Sequence, residues 1–356
     1  MQRILRADER LAQLSKPRLQ RHERFELSHD DTLVICAGFE ERSVTVLQNA
    51  MHHSPGFRVV LADYLPAIAA NRLQQIETMC AAKNIAVERL TYDRQNPTRF
   101  AWKLLEAIGN GGGCVFVDIS AMSRLLIVQV LVGLKCRLNS YANCFVAYTE
   151  AAEYPPTQAD AEAAAQNVDS DPFYTVMLLS AGVFDLTVVP ELSSVAHNAG
   201  EIRLVAFPSL NVDQLVALRA ALQPSRYVII HGIPPRPEHL WRTELISRLN
   251  RIESLPLGEE YRTSTLQYEE TLNCLTEVYA NHGVRERIVV SPTGSKMQAV
   301  AVGIFRACLE DVQVVYPTPK RFTSPESYTL GSGCSYLLAL APYAPIFADS
   351  AGKTGG

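Results

Sequence analysis

The chain has eight cysteines and no CxxC pair: they stand at Cys36, Cys80, Cys114, Cys136, Cys144, Cys274, Cys308 and Cys334. Without clustered ligands they are read as buried thiols of a reducing compartment, not as zinc or disulfide centres. Long apolar runs are also lacking. The longest, Leu125 to Leu134, is about half of what a spanning helix needs. The opening segment, Met1 to Leu27, is charged throughout and does not read as a signal peptide. A cytoplasmic protein is expected. Charge is sparse, at 20% of residues with a net of −4, so there is no broad basic surface and no strong signature for duplex nucleic acid.

Enzyme signatures are missing too. The absence of GxxxxGK[ST] excludes a P-loop NTPase, and no GxGxxG joins a first strand to a helix, which argues against dinucleotide oxidoreduction. Gly109 to Gly113 precedes a strand and is read as a turn. No GxSxG elbow is present. Asp93 and Asp118 have no spacing that supports a magnesium site. No cofactor or metal is expected, and the reading leans away from an enzyme.

What is present is a regular alternation. At 356 residues and 47% apolar content, two domains with full cores are expected. In the first half, strands are predicted at 33–37, 58–63, 87–92, 114–119 and 144–148, with helices near 41–52, 66–83, 98–108 and 123–138. In the second half, strands are predicted at 202–207, 226–231, 252–257, 288–290 and 312–316, with helices near 212–222, 237–250, 265–282 and 297–309. Strands alternating with helices imply parallel sheets, and near-continuous apolar strands imply that both sheet faces are covered. Val117 and Val289 both end a fourth strand, and the same shift of 172 positions carries Ser123-Arg124 onto Ser295-Lys296. Each half then makes a polar, Pro-containing excursion (149–172 and 318–325) and a hairpin-like return (175–192 and 327–343). The fold class is therefore α/β: two tandem Rossmann-like, doubly wound domains with mainly parallel sheets, each extended by an antiparallel hairpin. The expected divisions are a charged helical segment at 1–30, a first domain at 31–195, a second at 200–345 and a disordered tail at 346–356. The acidic stretch 160–171 is read as a mobile loop or a short surface helix. Trp102 and Trp241 are read as core.

Ligands of open α/β sheets bind outside the C-terminal ends of the strands. In the second half those loops hold Ser209, Asn211, Arg236, Thr293, Gly294, Ser295 and Lys296, with Arg262, Lys320 and Arg321 as further cations. A helix start with hydroxyls and a lysine beside it suits a phosphate, and it equally suits a plain helix cap. In the first half the loops hold Gly38, Glu40, Arg42, Asp118, Ser120, Ser123 and Arg124. Their carboxylates suit ribose hydroxyls or a base amino group, or internal pairing with arginine. Asp118 is equally suited to capping a helix. Glu40, Glu41, Asp118 and His231 are the candidate acids and bases of an alternative enzyme reading, although a lone histidine is more often structural.

Ser291-Pro292-Thr293-Gly294-Ser295-Lys296-Met297, between a strand and an apolar helix, resembles the signature loop of the CRISPR-associated Rossmann fold (CARF) sensors, with one glycine fewer. Their other ligand loop corresponds to Pro208-Ser209-Leu210-Asn211. The first copy departs from this pattern, with Asp118-Ile119-Ser120-Ala121-Met122-Ser123-Arg124. The resemblance implies binding of a cyclic oligonucleotide or other nucleotide across paired loops, and an internal pseudo-dimer like that of the fused SAVED-type sensors. It also implies a separate effector protein, because the two copies occupy nearly the whole chain. The expected function is a nucleotide sensor in anti-phage defence or stress signalling. The alternatives are a nucleotide-processing enzyme on the same scaffold and a structural adaptor with vestigial sites.

Overall fold

A computed structural model of the chain describes residues 6–166, 180–195, 200–252, 255, 258–322 and 328–351. In chain order the elements are α1 (Ala7–Gln13), β1 (Gln20–Arg21), β2 (Thr32–Ala37), α2 (Thr45–His53), β3 (Arg58–Leu65), α3 (Leu73–Ala82), β4 (Val87–Asp93), α4 (Phe100–Ile108), β5 (Cys114–Asp118), α5 (Arg124–Leu134), β6 (Asn143–Thr149), α6 (Gln158–Gln166) and β7 (Ser180–Thr187). There follow β8 (Ile202–Ala206), α7 (Val212–Leu222), β9 (Arg226–Ile233), α8 (Trp241–Leu249), β10 (Gly258–Ser264), α9 (Tyr268–His282), β11 (Arg287–Ser291), α10 (Lys296–Cys308), β12 (Gln313–Val314), β13 (Tyr316–Phe322), β14 (Ser335–Ala339) and α11 (Ala344–Ala351).

The chain divides into two compact units. The first comprises Lys16–Pro155 and Pro325–Ala351; the second comprises Met1–Ser15, Pro156–Ser324 and Gly352–Gly356. The first unit carries a seven-stranded sheet in the order β1-β14-β6-β5-β2-β3-β4. Five of its strands, β6, β5, β2, β3 and β4, pair in parallel, and β14 and β1 extend it antiparallel. The second unit carries a five-stranded parallel sheet in the order β10-β9-β8-β11-β12. Both are doubly wound α/β sheets. In each, the strand order reverses beside the first strand, between β2 and β5 and between β8 and β11.

Central strands are apolar and fully covered: all six residues of β2 are buried. Leu33, Ile35, Val59 and Leu61 pack with Leu47 and Ile76 on one face of the first sheet. In the second unit Leu204, Ile229 and Val289 pack against Leu215 and Leu218 of α7. The expected helices at 212–222 and 297–309 fall on α7 and α10.

The antiparallel extensions are present, but their strands come from other parts of the chain than the simple repeat implies. β14 returns to the first unit and pairs with β6, and β7 pairs with β13 in a two-stranded ribbon of the second unit. Residues 175–179 of the expected first hairpin lie outside the described residues. Lys320 and Arg321 are in β13, not in a loop. Pro317 and Pro319 are tolerated there because a two-stranded ribbon leaves alternate N–H positions without a ladder partner, and the register shifts at Thr318/Pro319.

The edge strand beside β9 is β10; of the strand expected at 252–257, residues 253, 254, 256 and 257 lie outside the described residues. Ile252 instead packs into the core beside Tyr227. β10 reads GEEYRTS and alternates exposed with half-buried or buried residues, because an edge strand covered on one face does not need a continuous apolar run. Glu259, Glu260, Tyr261 and Arg262 are therefore strand residues.

Among the described residues of the charged N-terminal segment, seven form a helix, α1, which packs on α9 and buries Leu11 completely. The tail expected from 346 onward includes α11, whose Ile346 and Phe347 are buried. Residues 160–166 of the acidic stretch lie in the helix α6, and 167–171 lie outside the described residues. Trp102 is 54% exposed, so it is a surface residue of α4, and Trp241 is half-buried beside Leu210 and Leu245. Five cysteines are buried, Cys114 and Cys334 are half-buried and Cys136 is exposed.

Candidate functional site

The second unit brings the loops after β8 and β11 together where its strand order reverses. The Thr293 hydroxyl donates to the Phe207 carbonyl at 2.6 Å, so Thr293 is buried as the clasp between the two loops. Ser295 is the N-cap of α10. Its Oγ accepts from the Gln298 N–H at 3.1 Å, and the Gln298 Oε1 accepts from the Ser295 N–H at 2.8 Å. This is a reciprocal capping box. The Ser295 hydroxyl proton is also used, on the Thr265 carbonyl at 2.7 Å, and Gln298 Nε2 donates to Thr263 Oγ1 on β10. A Cβ on Gly294 would lie 2.3 Å from Gln298 Oε1 and 3.0 Å from the Phe207 Cβ, so only glycine fits beneath the box.

The hydroxyls of Thr293 and Ser295 thus shape the loop, and Lys296 follows, half-buried in the first turn of α10. Ser209 Oγ accepts from the Asn211 N–H and lies 3.0 Å from Gln214 Oε1, to which it donates. Asn211 Nδ2 reaches the Gly182 carbonyl at 3.5 Å. Arg236, after β9, is half-buried. Helix α8 spans two of these loops: Thr243 near its start donates to the Gly232 carbonyl at 2.7 Å, and Asn250 at its end donates to the Ser209 carbonyl at 2.8 Å. His231 is buried on β9, its Nε2 3.1 Å from Glu260 Oε2.

The first unit also brings its two loops together, but closes them differently. A Cβ on Gly38 would lie 2.6 Å from the Ala121 Cβ. Glu40 and Arg42 form a buried ion pair with each other, at 2.6 Å between Nη2 and Oε2. Arg42 Nη1 also donates to the Thr149 carbonyl and the Tyr148 hydroxyl, and Thr329 donates to Glu40 Oε2. Burial alone would lower the Arg42 pKa, but Glu40 and the surrounding tyrosines hold it above its ordinary value, so the guanidinium is permanently charged.

Asp118 Oδ1 accepts from the Ser120 N–H and hydroxyl, and Ser120 Oγ accepts from the Thr149 N–H. Ser123 caps α5 through the Leu126 N–H at 3.3 Å, and its own N–H donates to the Tyr64 hydroxyl at 2.6 Å. Arg124 follows, half-buried. Tyr64 in turn donates to the Ala121 carbonyl and lies under the Arg94 guanidinium, 4.5 Å from the ring centroid. Burial pushes its phenol well above the ordinary tyrosine range.

Sequence reasoning missed Gln298, Tyr64 and Asn250. Only Gln298 had a signal, the Ser-x-x-Gln spacing of a capping box. No group of three or more acidic, histidine or cysteine side chains able to hold a metal occurs among the described residues, and no described helix is long and apolar enough to cross a membrane.

No protein-family model matches the chain, and no curated protein sequence matches it. Among solved structures, a Type III CRISPR defence DNA nuclease activated by cyclic oligoadenylate is similar over 85% of this chain and 68% of its own, with 10% identity and a TM-score of 0.43. The cytoplasmic domain of a prokaryotic cation chloride cotransporter is similar over 85% of this chain and 98% of its own, with 9% identity and a TM-score of 0.25. Likenesses at this level carry no functional argument.

Proposed function

We propose that the protein is a nucleotide-binding sensor whose ligand phosphates sit at the start of α10, beside Lys296, and whose output passes to a separate effector protein in anti-phage defence or stress signalling. The reading is carried by one observation. The loop that resembles the CARF signature is clasped to the β8 loop at the strand-order reversal of a parallel sheet, with its cap residues fully engaged. A loop pre-shaped in this way presents backbone N–H groups and a cation without needing to reorganise. A cyclic oligonucleotide or a simpler nucleotide satisfies that chemistry. Arg236 lies on a neighbouring loop as a second cation.

The test is a thermal-shift screen of the whole protein against cyclic and linear oligonucleotides, mononucleotides and NAD, with mass spectrometry of each mixture afterwards. A ligand of the native state raises the melting temperature by mass action. The expected result is a rise with the ligand recovered intact, lost in Lys296→Ala. Retained affinity in that variant overturns the assignment.

A second reading, a nucleotide-processing enzyme, is favoured by the His231–Glu260 pair at the end of β9, a geometry suited to general acid–base work. Consumption of the ligand, abolished by His231→Gln, would support it over the sensor.

A further inference from the structure

Asn250 is 7% exposed, and its Nδ2 donates to the carbonyls of Ser209 and Ile246, both at 2.8 Å. Carbonyls only accept, so the amide has one possible orientation and its Oδ1 is left as an acceptor. That oxygen is shielded from solvent, and no described residue donates to it. Ser291 is fully buried at the end of β11, and its Oγ has no described partner either. Ser291 is paired across the sheet with Ala206, the last residue of β8, three positions before Ser209. The two residues therefore adjoin one stretch of chain, Ser291 beside Ala206 in the sheet and Asn250 bonded to Ser209 from the end of α8. That segment opens α7, an eleven-residue helix whose N-cap, Asn211, supplies no side-chain cap.

Buried polar side chains nearly always have partners, so two atoms beside one loop with none among the described residues point to a bound group. Its chemistry is constrained. Asn250 Oδ1 needs a donor, which excludes a phosphate oxygen, since that brings no proton at neutral pH. Ser291 Oγ donates or accepts. A hydroxyl meets both, donating to the amide oxygen and accepting from the serine, and vicinal hydroxyls are what a ribose carries. We infer that the ribose of the nucleotide is held between Asn250 and Ser291 and is read there by its hydroxyls, an assignment that rests on the nucleotide reading above. Both atoms are shielded, so Pro208–Asn211 shifts to admit the sugar.

The experiment is isothermal titration of the full chain with AMP, GMP, CMP and UMP and with their 2′- and 3′-deoxy forms. The proteins compared are wild type, Ser291→Ala, Asn250→Leu and Lys296→Ala. The Ser291 hydroxyl holds nothing within the described protein, so Ser291→Ala keeps the melting temperature or raises it, and it decides the matter even if Asn250→Leu fails to fold. The expected result is a ribonucleotide bound at least tenfold more tightly than one of its deoxy forms, a preference that Ser291→Ala abolishes along with about tenfold of affinity. Equal affinity for ribo and deoxy forms in wild type, or unchanged affinity and preference in Ser291→Ala, overturns the inference, and the buried atoms then hold water only. Lys296→Ala separates the two readings. If it weakens nucleotide binding that shows no ribose preference, the phosphate site stands and the ribose site falls. If no nucleotide binds, here or in the screen with cyclic oligonucleotides, both fall.

Discussion

The two units solve the same packing problem with the small residue on opposite loops. Where the strand order reverses, the loop after the first strand crosses the loop after the fourth, and there is no room for two side chains. In the first unit the glycine is on the first-strand loop, Gly38 against Ala121; in the second it is on the fourth-strand loop, Gly294 against Phe207. The loops differ in side chains as well. At the shift of 172 positions Asp118 and Ser120 fall on Val290 and Pro292. Asp118 and Ser120 fold back on each other, which valine and proline cannot do. The second loop is held instead by Thr293 and Gln298, and Ser291 Oγ has no partner among the described residues. The switch loops of the first unit are bonded internally, through Glu40–Arg42 and Asp118–Ser120–Thr149. The difference teaches that one framework of strands can close its crossing loops with different side chains.

The comparison is most severely tested by Arg42→Ala. It leaves Glu40 buried without its cation, and breaking a buried pair from one side costs about 3–5 kcal/mol. Calorimetry should show the first unit's transition falling while the second unit's stays in place; a two-unit chain need not unfold in one step. A uniform small shift would show that the pair is not needed.

Next in size is Gly38→Ala, which drives a Cβ into the Ala121 Cβ. Overpacking of this kind costs about 1–3 kcal/mol, and the double change Gly38→Ala with Ala121→Gly should recover most of it in urea denaturation. No recovery would mean that the two loops do not share the crossing.

Third, Ser295→Ala should cost more than Ser123→Ala. Loss of an N-cap is worth about 1 kcal/mol, and Ser295 also loses its bonds within the box and to Thr265. Equal losses would mean that the box adds nothing to the second unit.

The smallest effect is on pH dependence. Glu286 accepts a hydrogen bond from Arg203 at 2.5 Å, which lowers its pKa against the opposing effect of burial. A carboxyl depressed in the folded state stabilises the protein fully above its unfolded pKa, about 4.3 for Glu, and that contribution is lost as pH falls through the lower folded value. Glu286→Gln should therefore flatten the acid limb of the second unit's stability curve and leave the first unit's limb unchanged. An unaltered limb would remove Glu286 from the account.

Much of the site was legible because loops at strand ends carry their own chemistry. Ser-x-x-Gln after β11 announces a capped helix, and the small-residue run Ser291 to Ser295 announces a tight turn. Asn250 was not legible. An asparagine at a helix end reads as a cap, and only the approach of the Ser209 loop gives its amide a different task. Glu40 and Arg42 stood open between ligand contact and internal pairing because their spacing says nothing of Tyr148, Thr149 and Thr329, which bond to them from far along the chain. Trp102 was placed in the core because a helical position does not say which face is covered.

By itself the sequence determined the alternation of strands and helices, the parallel inner sheets, the duplicated Ser-cation helix start and the positions of most helices. Each of these follows from periodicity and turn chemistry within some fifteen residues. Tertiary structure alone decided that β14 returns to the first sheet, that β7 takes β13 as its partner, that polar β10 is the edge strand and that buried polar side chains meet their partners or miss them. Pairing between distant segments rewards total burial and ladder completion, and a strand's local pattern is the same whichever sheet edge it joins.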